Sequence, residues 1–277
     1  MNVHGTNFPN NYFTENEIRL SEEFLRMGYC KVDVQELHLL DQLRDNVVHY
    51  AARHIGVETS EPSAFLNNIH QRVTRDTVND FRLDVINQLN KDVVNREYYF
   101  GISRSTLDVL VGNEISMQRR LNLSIQLPHD DSSLLPVHAD VWSGDAPFEM
   151  VVWVPLVNCF STKSMFLLPP GPSKEFHLNF REFEGLDTEE LFHVIEPKVE
   201  WIEIEYGQIL IFNQNLPHGN RTNIEDETRW SLNCRFKSVF SPYGEKKLGE
   251  FFEPITLRAA SRIGMDYAYP NTRDRIK

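Results

Sequence analysis

Cysteine is scarce in this sequence of 277 residues, which contains only Cys30, Cys159 and Cys234. The three are far apart, odd in number and outside any Cys-x-x-Cys pair. This pattern argues against a disulfide framework and against a zinc site built on cysteine. We expect the three thiols to be small buried hydrophobic side chains.

Long apolar runs and basic clusters are also missing. No run approaches the roughly 18 residues of a membrane-spanning helix, and the N-terminal residues lack the charged-then-apolar order of a signal peptide. We therefore expect a cytoplasmic protein without a membrane partner. The net charge of -12 repels phosphate backbones, so we expect no nucleic-acid partner. A Gly-x-Ser-x-Gly elbow is absent, which argues against a serine hydrolase.

The first part of the chain, residues 1–114, has mostly helical periodicity. A helix cap is predicted at Thr14 or Ser21, and Gly28 and Gly56 are predicted helix stops. We expect these helices to pack outside a β-rich core.

Residues 115–240 change in character to short, alternating or β-branched segments separated by glycine and proline. This pattern is typical of a sandwich or barrel, and the segment is long enough for one eight-stranded double sheet. A loop or helical insert interrupts it at roughly 171–196. Residues 241–277 are predicted to form a helical tail. No linker separates these parts, so we expect a single domain over residues 1–277.

The stretch "LPVHADVWSGDAPFEMVVWVPL" places His138 two residues before Asp140, just ahead of a strand-like run. On an extended segment, residues two apart point to the same side, so this pair can chelate one metal ion. The spacing alone is weak evidence, because His129 and Asp131 repeat it in a loop between two prolines. Two imidazoles and one carboxylate form the facial triad of non-heme Fe(II) oxygenases, so a second histidine is required.

His218, at the end of the strand in "GQILIFNQNLPHGN", is the candidate for that second histidine. Arg229 and Ser231 follow it on the next strand and face the same way. An inward-facing arginine beside a hydroxyl can bind a carboxylate, although Arg229 can also pair with a surface acid such as Glu225 or Asp226.

The motifs occur in a fixed order: His-x-Asp, a long gap, His, and then Arg-x-Ser. This order resembles that of the Fe(II)/2-oxoglutarate-dependent dioxygenases, and among them the phytanoyl-CoA-hydroxylase-like group. The segment "GQILIFNQNLPHGNRTNIEDETRWSLN" is similar to that group around its second histidine, with Gln208 where aspartate is common. The opening "FLRMGYCKVDVQELHLLDQLRD" is similar too. A narrower similarity is to 2-oxoglutarate oxygenases of bacterial carbohydrate-biosynthesis clusters. "LPPGPSKEF" departs from the family's Pro-Gly-Ser-His, since it lacks the histidine.

This resemblance implies a mainly β double-stranded β-helix, or jelly roll, with helices at both ends. It implies that His138, Asp140 and His218 bind Fe(II), and that Arg229 and Ser231 anchor the distal carboxylate of 2-oxoglutarate. The reaction implied is hydroxylation of a small polar or carbohydrate-type substrate with O2, releasing succinate and CO2. An intact Asp140 favours hydroxylation over halogenation, because a smaller residue there would leave room for a halide.

Other candidate site residues rest on position alone. Gln126 and Asn122 alternate on the strand before the metal segment, and we expect both to face the cavity, Gln126 as a cofactor contact. Trp142 and Trp153 are candidate substrate contacts, and ordinary strand packing is the alternative for all four. The insert, with His177, Arg181 and His193, either closes over the substrate or forms a solvated loop.

Two other classes of function remain open on the sequence. A cupin-like isomerase or lyase also uses two histidines and a carboxylate but needs no 2-oxoglutarate, and Arg229 with Ser231 argues against it. A non-catalytic binding module on the same fold would not need the intact metal triad. The sequence does not indicate an oligomeric state.

Overall fold

The structure is a computed structural model that describes residues 12–270. Its helices are α1 (Glu15–Met27), α2 (Leu37–Ile55), α3 (Pro62–Asn67), α4 (Val78–Lys91), α5 (Val94–Leu110), α6 (Pro170–Leu178), α7 (Thr188–Ile195) and α8 (Ala259–Asp266). Its strands are β1 (Tyr29–Asp33), β2 (Ile115–Gln118), β3 (Asn122–Gln126), β4 (Met150–Pro155), β5 (Phe166–Leu167), β6 (Glu200–Trp201), β7 (Gln208–Asn213), β8 (His218–Gly219), β9 (Arg229–Ser238) and β10 (Phe252–Pro254). Within residues 12–270, no helix is both long and apolar enough to span a bilayer.

The first helix begins and ends where the sequence predicts. Thr14 caps α1 through a capping box, in which its side chain accepts from the Glu17 backbone and the Glu17 carboxylate accepts from the Thr14 backbone. Gly28 ends the helix with a φ of 76°, a left-handed conformation that glycine adopts without steric cost. Gly56 ends α2 in the same way, with a φ of 69°. Ser21 lies inside α1 and caps nothing.

The larger of two antiparallel sheets has seven strands in the order β1-β7-β4-β9-β2-β10, with β3 also paired to β9. The ten-residue strand β9 is long enough to pair with β4 along one edge and with β2 and then β3 along the other. Side chains of β9 alternate between the faces of this sheet, so its odd-numbered residues share one face.

The smaller sheet has the order β6-β5-β8. His138 extends it, because residues 138 and 218 form an isolated antiparallel bridge beyond β8. The chain segment after β3 therefore joins the edge of the smaller sheet at His138.

Helices cover the larger sheet on one side. The buried faces of α2, α4 and α5 share one hydrophobic core with β4, β7 and β9. Trp230 is fully buried, packs edge-on against Phe81 of α4 and donates its indole N–H to the Leu66 carbonyl. This packing fixes α4 beside β3, which matters for the cavity described below.

Two parts of the fold differ from the sequence prediction. The tail predicted as helical over 241–277 contains β10 and only one short helix, α8, among its described residues. Glycines interrupt the helical pattern, and Gly249 has a φ of 87°, while the fully buried Phe252 pairs with Gln118 of β2. The larger sheet also includes β1 and β10, which lie outside the predicted core of residues 115–240.

The insert at 171–196 is helical and packed, and it is not a solvated loop. Helices α6 and α7 bury Phe176, Phe192 and Ile195 in a second hydrophobic cluster with Phe166 of the smaller sheet.

Candidate metal centre

His138, Asp140 and His218 converge at the edge of the smaller sheet. His138 and His218 exchange two backbone hydrogen bonds, of 3.0 and 2.8 Å, and their ring centroids are 4.3 Å apart. The Asp140 N–H donates to the Gln214 carbonyl, which holds the second half of the His-x-Asp pair against the loop after β7. One ligand atom from each of the three residues lies within 4.8 Å of the others.

The two imidazoles have one free nitrogen each, and both free nitrogens are Nε2. The Nδ1 atom of His138 is 2.8 Å from the Pro136 carbonyl, and that of His218 is 2.8 Å from the Leu216 carbonyl. A carbonyl only accepts, so Nδ1 carries the proton in each ring and Nε2 presents a lone pair. Metal-binding histidines are held in this way, with the second nitrogen bonded to a carbonyl or carboxylate.

One carboxylate oxygen of Asp140 is hydrogen-bonded to Arg235, and the other is directed to the histidines. Its Oδ2 accepts from Arg235 Nη2 at 2.7 Å and from Arg235 Nε at 3.2 Å. Its Oδ1 lies 3.6 Å from His138 Nε2. The arginine fork therefore fixes the carboxylate plane and leaves Oδ1 as the third ligand atom.

The charge states suit a divalent cation. Burial, reinforced by the charge of His138, lowers the pKa of His218 to about 4, so this imidazole is neutral near pH 7. Burial acts to raise the pKa of Asp140, but Arg235 and the two histidines outweigh it and hold that pKa below its ordinary value. Two imidazoles and one carboxylate are the donor set of a facial triad, so the residues present fit a non-heme Fe(II) ion.

A cavity of about 520 Å³ opens next to the triad, between the two sheets and α4. Its apolar wall includes Val151, Trp153, Met165 and Phe212. Asn122 also lines it and donates to Asn233 across the sheet, so the structure brings Asn122 and Trp153 to the site, as the sequence predicts.

Arg229 lines the same cavity and is 2% exposed. Its Nη1 donates to the Ser164 carbonyl at 2.8 Å and its Nη2 to Ser124 Oγ at 2.9 Å, while its buried Nε has no partner among the described residues. Burial lowers the pKa of Arg229 to about 10, which leaves the guanidinium charged near pH 7. No carboxylate of the described residues forms an ion pair with it, so the surface pairing with Glu225 or Asp226 is not formed.

Ser231 and Gln126 are buried and do not line the cavity. Ser231 is fully buried, and its Oγ has no hydrogen-bond partner within the described part of the chain. Gln126 pairs with Arg229 in the β3–β9 register, but its amide donates to the Arg221 carbonyl and its side chain does not line the cavity. The expectation that Gln126 faces the cavity is therefore not met, since its side chain is held by the Arg221 carbonyl.

The rival pair and the insert lie outside the triad. His129 is in a loop with a φ of 54°, and Asp131 pairs with Arg75 at 2.6 Å, so the second His-x-Asp pair holds the loop and joins no metal cluster of the described residues. Trp142 packs on His177 of α6 and does not line the cavity.

Two other insert residues that were predicted to approach the substrate also lie outside the cavity lining. His193 pairs with acids on and beside its own helix, and Arg181 does not line the cavity. The insert thus covers the outer surface near Trp142.

Three contributors were missed from the sequence. Arg235 faces Asp140, and continuing the alternation from Arg229 and Ser231 along the strand would have placed it on the same face. Ser124 follows from the same rule on β3. Arg82 of α4 lines the cavity, but only the packing of α4 beside β3 brings it there.

No protein-family model matches the sequence, and no curated protein matches it. Many solved structures are similar in fold. They include the non-heme monooxygenase ThoJ in its apo form, with 16% identity, a TM-score of 0.53, and coverage of 86% of this chain and 84% of that one. HygX from Streptomyces hygroscopicus with nickel and 2-oxoglutarate bound has 13% identity, a TM-score of 0.50, and coverage of 85% and 90%.

EctD from S. alaskensis with bound Fe has 17% identity, a TM-score of 0.50, and coverage of 83% of this chain and 81% of that one. These likenesses confirm the predicted fold class, an antiparallel jelly roll with flanking helices. The likeness is one of fold, and it agrees with the fold that the resemblance of the sequence implies; it does not distinguish a phytanoyl-CoA-hydroxylase-like branch.

Proposed function

We propose that this protein is an Fe(II)- and 2-oxoglutarate-dependent oxygenase that hydroxylates a small polar or carbohydrate-type substrate. One observation carries the proposal: a two-histidine, one-carboxylate cluster and a buried, unpaired arginine line a single cavity. Neither feature alone is specific, but a 2-oxoglutarate oxygenase requires both. The phytanoyl-CoA-hydroxylase-like group is the branch we propose, on the sequence motifs given above.

His138 Nε2, His218 Nε2 and Asp140 Oδ1 would hold Fe(II). The Nδ1–H bonds to carbonyls and the Arg235 fork fix these three atoms before any ion arrives, which lowers the cost of ordering the ligands on binding. All three residues line the cavity, so an ion held by them would be accessible to 2-oxoglutarate and substrate from that cavity.

Arg229 would hold the distal carboxylate of 2-oxoglutarate. Its charge has no protein counterion among residues 12–270, and its contacts to Ser164 and Ser124 fix the guanidinium without neutralising it. Burying an unpaired charge is costly, so a guanidinium held in this way is expected to receive an anion. Ser231 Oγ, buried and without a hydrogen-bond partner among the described residues, lies two residues further along the same strand face.

When bound, Fe(II) with 2-oxoglutarate and O2 supplies an oxidation in which 2-oxoglutarate is converted to succinate and CO2 while the substrate gains a hydroxyl group. The contribution of the protein is orientation and exclusion of water. Trp153, Met165 and Phe212 form the apolar wall that limits water at the site. The three free, buried cysteines are consistent with the cytoplasmic location that we expect.

The test is anaerobic addition of Fe(II) and 2-oxoglutarate to the purified protein, with detection of the weak metal-to-ligand absorption band. We expect the band with the natural protein and its loss in His138→Ala, Asp140→Ala and His218→Ala. Slow succinate release in air, without added substrate, is the second readout. Absence of the band at saturating Fe(II) and 2-oxoglutarate would falsify the proposal.

Arg229→Gln separates this function from its rivals. A cupin-like isomerase or lyase binds metal but has no need of 2-oxoglutarate, so it would bind a divalent ion and give no band. A non-catalytic module would release no succinate under any condition. Loss of the band in Arg229→Gln, with metal binding retained, supports the oxygenase alone.

A further inference from the structure

We infer that the substrate carries an anionic group, a carboxylate or a phosphate, which binds to Arg82 at the α4 side of the cavity. The inference rests on the proposed function, since it assigns the part of the cavity that 2-oxoglutarate would not occupy. Its basis is the distribution of charge around the cavity, the contacts of Arg82 and an unused donor on Asn220.

The cavity is positively charged within a negatively charged protein. Among residues 12–270, four arginines line it, whereas Asp140 is the one acidic side chain of the lining. The chain as a whole has a net charge of -12. An acidic surface repels anions, so a positive concavity of this kind is where an anionic ligand is favoured.

Three of the four arginines already have a partner or a proposed ligand. Arg235 pairs with Asp140 and Asp145. Arg75 pairs with Asp130 and Asp131 at the outer edge. Arg229, the third, is the proposed anchor of 2-oxoglutarate.

Arg82 is the arginine that remains. It is half-buried on α4 and forms no ion pair with any described residue. Its Nη2 donates to Asn79 Oδ1 at 2.9 Å, one turn earlier on the same helix, and its other N–H groups have no partner among the described residues. Asn79 thus orients the guanidinium without supplying charge, and the unused N–H groups form a planar fork suited to a carboxylate or a phosphate.

A second polar group of the cavity has an unused donor. Asn220 is 2% exposed, and its Oδ1 accepts from the Leu135 backbone at 2.6 Å. Its amide nitrogen is buried and has no hydrogen-bond partner in the described part of the chain. Because buried polar groups nearly always have a hydrogen-bond partner, we expect a ligand rich in acceptor oxygens to accept a hydrogen bond from this amide.

The experiment measures binding to the Ni(II)- and 2-oxoglutarate-loaded protein, in which the metal and Arg229 positions are filled. The probes are matched sets that differ in charge: glucose, glucose 6-phosphate and glucuronate, and glycerol, glycerol 3-phosphate and glycerate. Dissociation constants are measured by calorimetry and compared with shifts in Tm. The phosphate and carboxylate arms distinguish the two anionic chemistries.

The matched variants are Arg82→Gln and Arg120→Gln. Arg120 donates to Asn87 Oδ1 at 2.9 Å, the same kind of contact that Arg82 makes, but it is exposed and does not line the cavity. We expect at least one charged probe to bind more tightly than its neutral partner, and Arg82→Gln to weaken that binding about tenfold or more. Arg120→Gln is expected to leave it unchanged.

The inference is overturned if no charged probe binds better than its neutral partner, or if both variants lose binding equally. In either case an intact Fe(II)–2-oxoglutarate absorption band would leave the proposed function standing. Failure of that band is a separate result, which rejects the proposed function whatever the anions do.

Discussion

The Arg235 guanidinium donates two hydrogen bonds to Asp140 Oδ2, so that one oxygen of the carboxylate is held and Oδ1 faces the histidines. The same guanidinium lies 3.4 Å from Asp145, which in turn pairs with Lys246. Gln214 joins the group by accepting from Arg235 Nε at 3.2 Å. The metal-side carboxylate is therefore held by a buried ionic network on the larger sheet.

Arg235→Gln is expected to weaken divalent metal binding. Loss of the fork frees the Asp140 carboxylate to rotate and removes the main charge that keeps it ionised. Substitution of groups that orient metal ligands commonly costs about 10–100-fold in affinity. Calorimetric titration of Ni(II) into the metal-free protein measures the change in Ni(II) affinity, with Arg120→Gln as the control. An unchanged Ni(II) affinity would show that the fork has no positioning role.

Arg229→Gln is expected to weaken 2-oxoglutarate binding and leave Ni(II) binding intact. Removing one partner of a buried, hydrogen-bonded charge pair costs about 2 kcal/mol or more, which is about 30-fold or more in Kd. Arg229→Lys is expected to rescue little, because an ammonium cannot reproduce the planar contacts to Ser164 and Ser124.

Titration of 2-oxoglutarate into the Ni(II)-loaded variants measures this effect. Arg229 also connects β9 to Ser164 and Ser124, so circular dichroism and the Ni(II) affinity are recorded on the same samples. A variant that loses both ligands together has lost structure, whereas selective loss of 2-oxoglutarate supports the assigned role.

Much of the site follows from strand periodicity. The two-residue spacing of His138 and Asp140, and of Arg229 and Ser231, places each pair on one side of an extended chain. The same rule reaches Arg235, three steps of two beyond Arg229. The rule wrongly places Gln126 in the cavity lining, because periodicity predicts which face of a strand a side chain occupies and not how far along the strand a cavity extends.

Contacts between distant segments could not be derived in this way. Arg82 reaches the cavity only because Trp230 and Phe81 pack α4 beside β3. Trp142 lies only two residues after Asp140, but the short helical turn that begins at Asp140 directs it toward His177 of the insert. The tail was misjudged since a helical spacing of apolar residues also fits a chain that buries Phe252 in a strand.

Gly219→Ala is expected to disturb the metal centre by steric pressure. A Cβ at Gly219 would lie 2.8 Å from the Leu135 carbonyl oxygen and 3.0 Å from the Pro136 carbonyl oxygen. These are backbone atoms of the segment that carries His138, so relief requires separating His138 from His218. Overpacking of this kind costs about 1–3 kcal/mol.

The measurement is the Ni(II) affinity together with the free energy of unfolding in urea. Gly171→Ala is the control, because a Cβ at that position would have no described atom within 4 Å apart from its chain neighbours and its own helix backbone. We expect Gly219→Ala to bind Ni(II) more weakly than Gly171→Ala, and equal behaviour of the two variants would contradict the steric argument.

Glu149 is expected to reduce the stability of the protein as the pH rises. It is fully buried, and its nearest cation is Lys237 at 4.0 Å. Burial, with the charge of Asp145, raises the pKa of Glu149 from 4.5 to about 7. Between these two values the folded protein holds a proton that the unfolded chain has released. The contribution of Glu149 to the free energy of unfolding therefore falls as the pH increases through this interval and is constant above it.

Glu149→Gln removes this titration, so its stability relative to the natural protein should rise between about pH 5 and about pH 8. Urea denaturation at the two pH values measures the difference, and subtraction removes the titrations that both proteins share. Glu250→Gln, at an exposed position, is the control and should show no such trend. A stability difference that is independent of pH would mean that Glu149 is already ionised in the folded protein at the lower pH, held in that state by Lys237 and the hydrogen bonds from Ala146 and Gln214.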